Sequence, residues 1–142
     1  MGSQYCVRTE FAVGERARLD KVVSQDDILS FARITGDHNP VHSDPEFAGK
    51  TRFRGPIAHG MFSAGLISAV LGTMLPGPGS IYLSQSLRFL RPVRAGDKLT
   101  AEVEVTEWNS AKRTIRLNTR CFNAAGDDVV TGEALLLVEP LQ

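Results

Sequence analysis

Polar and apolar residues alternate through most of the second half of the chain. In "KLTAEVEVTEW" (98–108), Leu99, Ala101, Val103 and Val105 fall on one side of an extended backbone. Thr100, Glu102, Glu104 and Thr106 fall on the other, predicting a strand with one face toward a core. "TIRLNTRCF" (114–122) repeats the pattern with Ile115, Leu117, Thr119 and Cys121. "IYLSQSLRFL" (81–90) and "DVVTGEALLLVE" (128–139) read as two further strands, and "GERARLDKVV" (14–23) as a short one. The breaks "RPVRAGD", "NSAKR" and "NAAGD" are short enough to join antiparallel neighbours.

Helical spacing replaces alternation twice. Ser24 stands before "QDDILSFARI" with Asp27 three residues on, a variant of the capping box. Ile28, Phe31 and Ala32 then recur at helical spacing, and Gly36 ends the element. The second helix lies within "GPIAHGMFSAGLISAVLGTML" (55–75), which is apolar nearly all round and stopped by Pro76. A helix with apolar residues on every side has to be buried. Between the two, "ITGDHNPVH" (34–42) reads as neither helix nor strand, and an irregular segment with one helical turn after Asp44 continues to Gly55.

An antiparallel sheet of four or five strands and one wholly apolar helix have few stable solutions. The sheet must curl around the helix, an α+β "hot dog" arrangement. One such domain is expected over residues 1–142, with the irregular segment overhanging it. The wrap is incomplete, so a second copy is expected to finish the burial, giving a homodimer.

Composition narrows the partners. Lys+Arg and Asp+Glu balance at 16 each, which argues against bulk attraction to nucleic acid or membrane. The apolar run near Met61–Leu75 is too short and too broken for a membrane span. Cys6 and Cys121 fit no metal or redox spacing, and Cys121 reads as a small apolar strand residue in a reducing compartment. "MGSQYC" has Cys6 where a myristoylation signal has Ser or Thr, so it reads as a plain N-terminus. A cytoplasmic location is expected, with the mitochondrial matrix as the alternative.

Candidate chemistry gathers on the stiff loop. Asp37 and His42 flank Pro40, and a carboxylate and an imidazole held at fixed separation can share a water and move its protons. Spacing alone is a weak signal, because an Asp after Gly is commonly an Asx-turn acceptor and a loop His commonly solvated. His38, His42, His59 and Asp37 are also metal-ligand types, but Pro40 argues against the helical spacing that would align His38 with His42. "HGM" (59–61) opens the apolar helix, where backbone N–H groups are unpaired. Gly60 there either lets a substrate carbonyl approach an N–H or merely lets the helix start close to a strand. Ser63 and Ser68 have neither an elbow motif nor a lysine partner, so neither reads as a nucleophile. Lys50, Arg52 and Arg54 form one basic cluster and Arg88, Arg91 and Arg94 another, read as solvated surface or as phosphate contacts. On a strand, Arg88 and Arg94 would share a face that Arg91 opposes.

"FARITGDHNPVHSDPEFA" closely resembles the signature of the (R)-specific enoyl-CoA hydratases, also called hydratase 2 or MaoC-like proteins. "IAHGMFSAGLISAVLG", "LPGPGSIYLSQSLRF" and "VTGEA" resemble the same family in the same order, so the match runs from about Val13 to Val138. The resemblance implies a hot dog fold, usually homodimeric, with no metal or redox cofactor and coenzyme A only as part of the substrate. It implies reversible syn hydration of a trans-2-enoyl thioester to the (R)-3-hydroxyacyl thioester. Asp37 and His42 fall on the family's catalytic pair, and Gly60 on the residue whose N–H binds the thioester oxygen. Ser68 falls on a serine that supports the site and Asn39 on the asparagine that shapes the loop; His59, beside Gly60, is expected as a further supporting residue. Three alternatives stay open: a dehydratase acting on carrier-protein thioesters, a thioesterase on the same fold, and a non-catalytic acyl-thioester binding module. The pathway stays open between polyester (polyhydroxyalkanoate) supply, β-oxidation and fatty-acid synthesis, and so does chain length.

Overall fold

The structure is a computed structural model that describes residues 2–142. Six strands and four helices follow one another as β1 (Arg16–Val22), α1 (Gln25–Thr35), α2 (Pro40–Ser43), α3 (Pro45–Gly49), α4 (Gly60–Thr73), β2 (Ser80–Gln85), β3 (Arg88–Phe89), β4 (Lys98–Asn109), β5 (Thr114–Asn123) and β6 (Asp128–Val138). All strand pairs are antiparallel, in the order β1-β4-β5-β6-β2, with β3 also on β6. The expected four or five strands are therefore six, because the 81–90 segment breaks at Ser86–Leu87 into β2 and β3. "NSAKR" and "NAAGD" close hairpins between neighbours as expected. "RPVRAGD" does not: it carries the chain from β3 beside β6 to β4 across the sheet. Arg91 and Arg94 consequently lie off any strand, and the expected facing pattern of the three arginines does not arise.

Local sequence explains the element ends. Ser24 N–H donates to Asp27 Oδ2 at 2.9 Å while Asp27 N–H donates to Ser24 Oγ at 3.0 Å, so the capping box is closed in both directions. These bonds hold the Asp27 carboxyl below its ordinary range, the backbone N–H of Ser24 contributing most. Gly36 ends α1 in the left-handed region at φ 81°, its N–H donating to the Ala32 carbonyl.

The sheet curls around α4, which packs on β1, β2, β4, β5 and β6. Ile67, Val70 and Leu71 of α4 meet Leu99, Ala101, Val103, Val105, Ile115 and Leu117 in the core. Burying each larger aliphatic side chain is worth about 1.5–3 kcal/mol. As the expected incomplete wrap implies, α4 is not buried all round in a single chain: Met61, Gly65, Ser68 and Gly72 face outward. The alternating faces of β4 hold with one exception. Glu102, on the outer face, is only 6% exposed, because Arg18 and Arg120 pair with it from either side. Among the described residues no helix is long and apolar enough to cross a membrane.

Both cysteines are free, Cys6 exposed and Cys121 buried in β5. Burial pushes the Cys121 thiol up to about 11. A thiol reagent at pH 8 is expected to label the native chain at Cys6 alone, and at both cysteines after unfolding. Mass spectrometry reads this, and rapid native labelling of Cys121 would contradict the placement of β5.

Candidate active site

Two side-chain turns in succession build the loop between α1 and α2. Asp37 Oδ1 accepts from Asn39 N–H at 3.2 Å, and Asn39 Oδ1 accepts from Val41 N–H at 3.1 Å, as the cap of α2. Pro40 is the first helical residue, where a missing N–H costs nothing. It thus starts a helical turn, against the expectation that this stretch is irregular throughout.

His42 ends up inside, 8% exposed, with Nδ1–H donating to the Ile57 carbonyl at 2.7 Å. A carbonyl only accepts, so the proton sits on Nδ1 and Nε2 of the neutral ring is an acceptor. His59, just before α4, is 3% exposed, and its Nε2–H donates to the main-chain carbonyl of Asp37 at 3.1 Å. The rings of His42 and His59 stack with centroids 3.7 Å apart and planes 30° apart. Phe31 of α1 lies 4.7 Å from the His59 centroid.

One polar side-chain atom each of Asp37, His42 and His59 lies within 4.8 Å of the other two. Among the described residues no direct hydrogen bond joins the carboxylate to either ring, and the gap suits one bridging water. A cation fits the same space less well. Imidazole lone pairs lie in the ring planes, and rings stacked at 3.7 Å with planes 30° apart aim their lone pairs poorly at one shared ion.

Gly60 is the first residue of α4, and its N–H has no acceptor among the described residues. A Cβ at Gly60 would lie 2.6 Å from Cδ1 of the Phe89 ring, so any larger residue here has to push that ring aside. Beside it opens a cavity of about 330 Å³ lined by His59, Gly60, Ser63, Phe89, Arg52 and Arg91. The arrangement offers a water-sized gap between an acid and a base, next to a free N–H that can polarise a carbonyl.

Of the expected residues, the fold gathers Asp37, Asn39, His42, His59 and Gly60. Ser68 sits elsewhere, on the outward face of α4, lining a second cavity of about 470 Å³ with Phe31, Met61 and Tyr82. His38 is exposed on the loop. The basic clusters divide. Arg94 is no free surface cation: its guanidinium donates to the carbonyls of Phe53 and, at 3.3 Å, Pro56, anchoring the segment that presents the Ile57 carbonyl. Arg91 donates to the Asp128 carbonyl at 2.7 Å. Phe89 of β3 against Gly60 is the close helix–strand approach that one reading of Gly60 expects. The Ile57 acceptor is new, because a backbone carbonyl leaves no mark in a sequence.

Residues 10–124 match the family model described as "MaoC like domain". The chain is 50% identical over 130 residues to a 3-hydroxybutyryl-CoA dehydratase of Methylorubrum extorquens, covering 91% of this chain and 82% of that one. It is 50% identical over 124 residues to an (R)-specific enoyl-CoA hydratase of Aeromonas caviae, covering 87% and 92%. The solved R-hydratase of Pseudomonas aeruginosa, in unliganded form, superposes with a TM-score of 0.89 at 46% identity, covering 96% of this chain and 88% of that one.

Proposed function

We propose, on the premise that this chain belongs to the MaoC-like domain family, that it hydrates trans-2-enoyl-CoA reversibly to the (R)-3-hydroxyacyl-CoA. It is a hydratase, a hydro-lyase with an acyl-CoA thioester as substrate. The observation that carries the mechanism is the convergence of Asp37, His42 and His59 within 4.8 Å beside the unpaired N–H of Gly60.

The thioester carbonyl lies against the Gly60 N–H at the start of α4. The hydrogen bond and the positive end of the helix draw electron density toward the oxygen, leaving Cβ electrophilic. A water between Asp37 and His42 attacks Cβ and gives one proton to the pair. The enolate collapses as the pair returns a proton to Cα on the same face, so addition is syn and the protons balance. Asp37 and His42 act as one coupled acid–base unit. Asn39 holds the loop. No metal or redox cofactor takes part.

A homodimer is part of this reading. β2 is an edge strand carrying Ile81, Tyr82 and Leu83, each at least 40% exposed, and Met61 of α4 is 54% exposed. An apolar edge of this kind is an aggregation hazard unless a second copy covers it.

The test is hydration of crotonyl-CoA and of a medium-chain enoyl-CoA by protein first treated with a chelator. Loss of the conjugated double bond gives the rate, and an (R)-specific dehydrogenase gives the product's configuration. Expected is fast, chelator-insensitive formation of the (R) product. Release of free coenzyme A would mean a thioesterase, binding without turnover a binding module, and turnover only of the carrier-protein thioester a different carrier.

A further inference from the structure

His59 stands where helices usually carry a capping Ser, Thr, Asp or Asn, yet it makes no cap bond to α4. Its side chain turns instead toward the loop. Nε2–H reaches the main-chain carbonyl of Asp37 at 3.1 Å, and the ring lies against His42 at 3.7 Å between centroids. These are the two residues the proposed reaction depends on, and His59 touches both. Nδ1 of His59 is buried and has no hydrogen-bond partner among the described residues. With the proton fixed on Nε2 by a carbonyl that can only accept, Nδ1 is a bare lone pair. Burying a lone pair without a partner is tolerable where burying an unpartnered N–H⁺ is not. The geometry therefore describes an imidazole used for its shape and its single engaged donor.

Resting on the hydratase reading above, we propose that His59 is a positioning residue: its Nε2–H fixes the Asp37 loop while its ring face fixes the plane of His42. Asp37 itself is exposed on a short connection between α1 and α2, and its own side-chain bond is a local turn to Asn39. His59 ties this loop to α4, and hence to the Gly60 N–H one residue further on. Phe31 packs on its ring at 4.7 Å between centroids and is itself 6.2 Å from the ring of Phe62. The donor is thus held by packing on one side and aimed at the loop on the other.

Three variants separate the contributions. His59→Ala removes donor and ring, His59→Gln keeps a donor at the place of Nε2, and His59→Phe keeps a ring without a donor. A misplacement of about 1 Å at reacting groups costs up to about 10²-fold, so His59→Ala is expected to lose about that factor in kcat while KM moves less than about threefold. His59→Gln is expected to recover about tenfold of the loss and His59→Phe less, with thermal unfolding measured for all three. A role confined to stability would lower the melting temperature and leave kcat per folded molecule unchanged. The proposal is overturned if folded His59→Ala keeps wild-type kcat, if the loss falls on KM alone, or if His59→Gln is no better than His59→Phe. Asp37→Asn run in parallel distinguishes the layers. An inactive Asp37→Asn beside a fully active His59→Ala removes only the positioning role, whereas a fully active Asp37→Asn removes the mechanism beneath it.

Discussion

Asp37→Asn is expected to lower the hydration rate by about 10²–10⁴-fold, the range that a positioned acid–base group contributes, while the protein stays folded. The substitution is close to a pure deletion of charge. The one bond recorded for the Asp37 side chain is acceptance by Oδ1 from Asn39 N–H, and an amide oxygen accepts that bond equally well. Asp37 is also exposed, so no packing is lost. What disappears is the ability to carry a negative charge beside the water and to take up or return its proton. His42→Gln is expected to fall by a similar factor, although it also disturbs the Nδ1–H bond to the Ile57 carbonyl. The two losses combined are expected to be far less than multiplicative, because groups that act as a unit fail as a unit. Initial rates with crotonyl-CoA, beside thermal melts, decide it. Near-wild-type turnover in Asp37→Asn would take that residue out of the mechanism.

Much of this site was legible because its parts lie close together in the chain. Gly36, Asp37, Asn39, Pro40 and His42 are local turn chemistry, and each did locally what its residue type favours. Pro40 is legible only halfway: a missing N–H reads as a break, but the first position of a helical turn does not need one. The capping box at Ser24–Asp27 and the two tight hairpins were also local, and they came through intact. What failed was non-local. Alternation said that Glu102 faces out, and it does, but not that Arg18 and Arg120 from two other strands would enclose it. Alternation likewise made 81–90 one strand, since nothing in its own residues reports the turned carbonyl at Ser86. The all-round apolar character of α4 fits the expected incomplete wrap, since the single chain covers one side only. Apolar content tells how much surface must be hidden, not which molecule hides it.

That turned carbonyl makes Gly132 the most demanding glycine in the molecule. β6 runs past the break between β2 and β3, where Gln85 pairs with Ala134 on one side and Arg88 with Thr131 on the other. Opposite the break, a Cβ on Gly132 would lie 1.8 Å from the Ser86 carbonyl oxygen and 2.8 Å from its carbon. Both are backbone atoms, so no rotamer change relieves the collision. The oxygen is also engaged: the Gln85 amide donates to it at 2.9 Å and to Thr119 Oγ1 at 2.9 Å. Moving Ser86 therefore strips a bond next to the buried Thr119 and shifts β3, whose Phe89 lies across Gly60. Gly132→Ala is expected to cost about 3 kcal/mol or more, the upper range for forcing atoms into a packed interior. At about 2–4 °C per kcal/mol for a chain somewhat above this size, that lowers the melting temperature by about 6–12 °C. Gly49→Ala serves as the control, because a Cβ there meets nothing within 4 Å and the position is helical. It is expected to melt at or slightly above the wild-type temperature. Where Gly132→Ala folds at reduced temperature, it is also expected to lose turnover, since Phe89 and the mouth of the cavity beside Gly60 move with Ser86. A Gly132→Ala protein that melts within about 2 °C of wild type, less than the shift expected from 1 kcal/mol, would mean that the break between β2 and β3 does not bring Ser86 over Gly132.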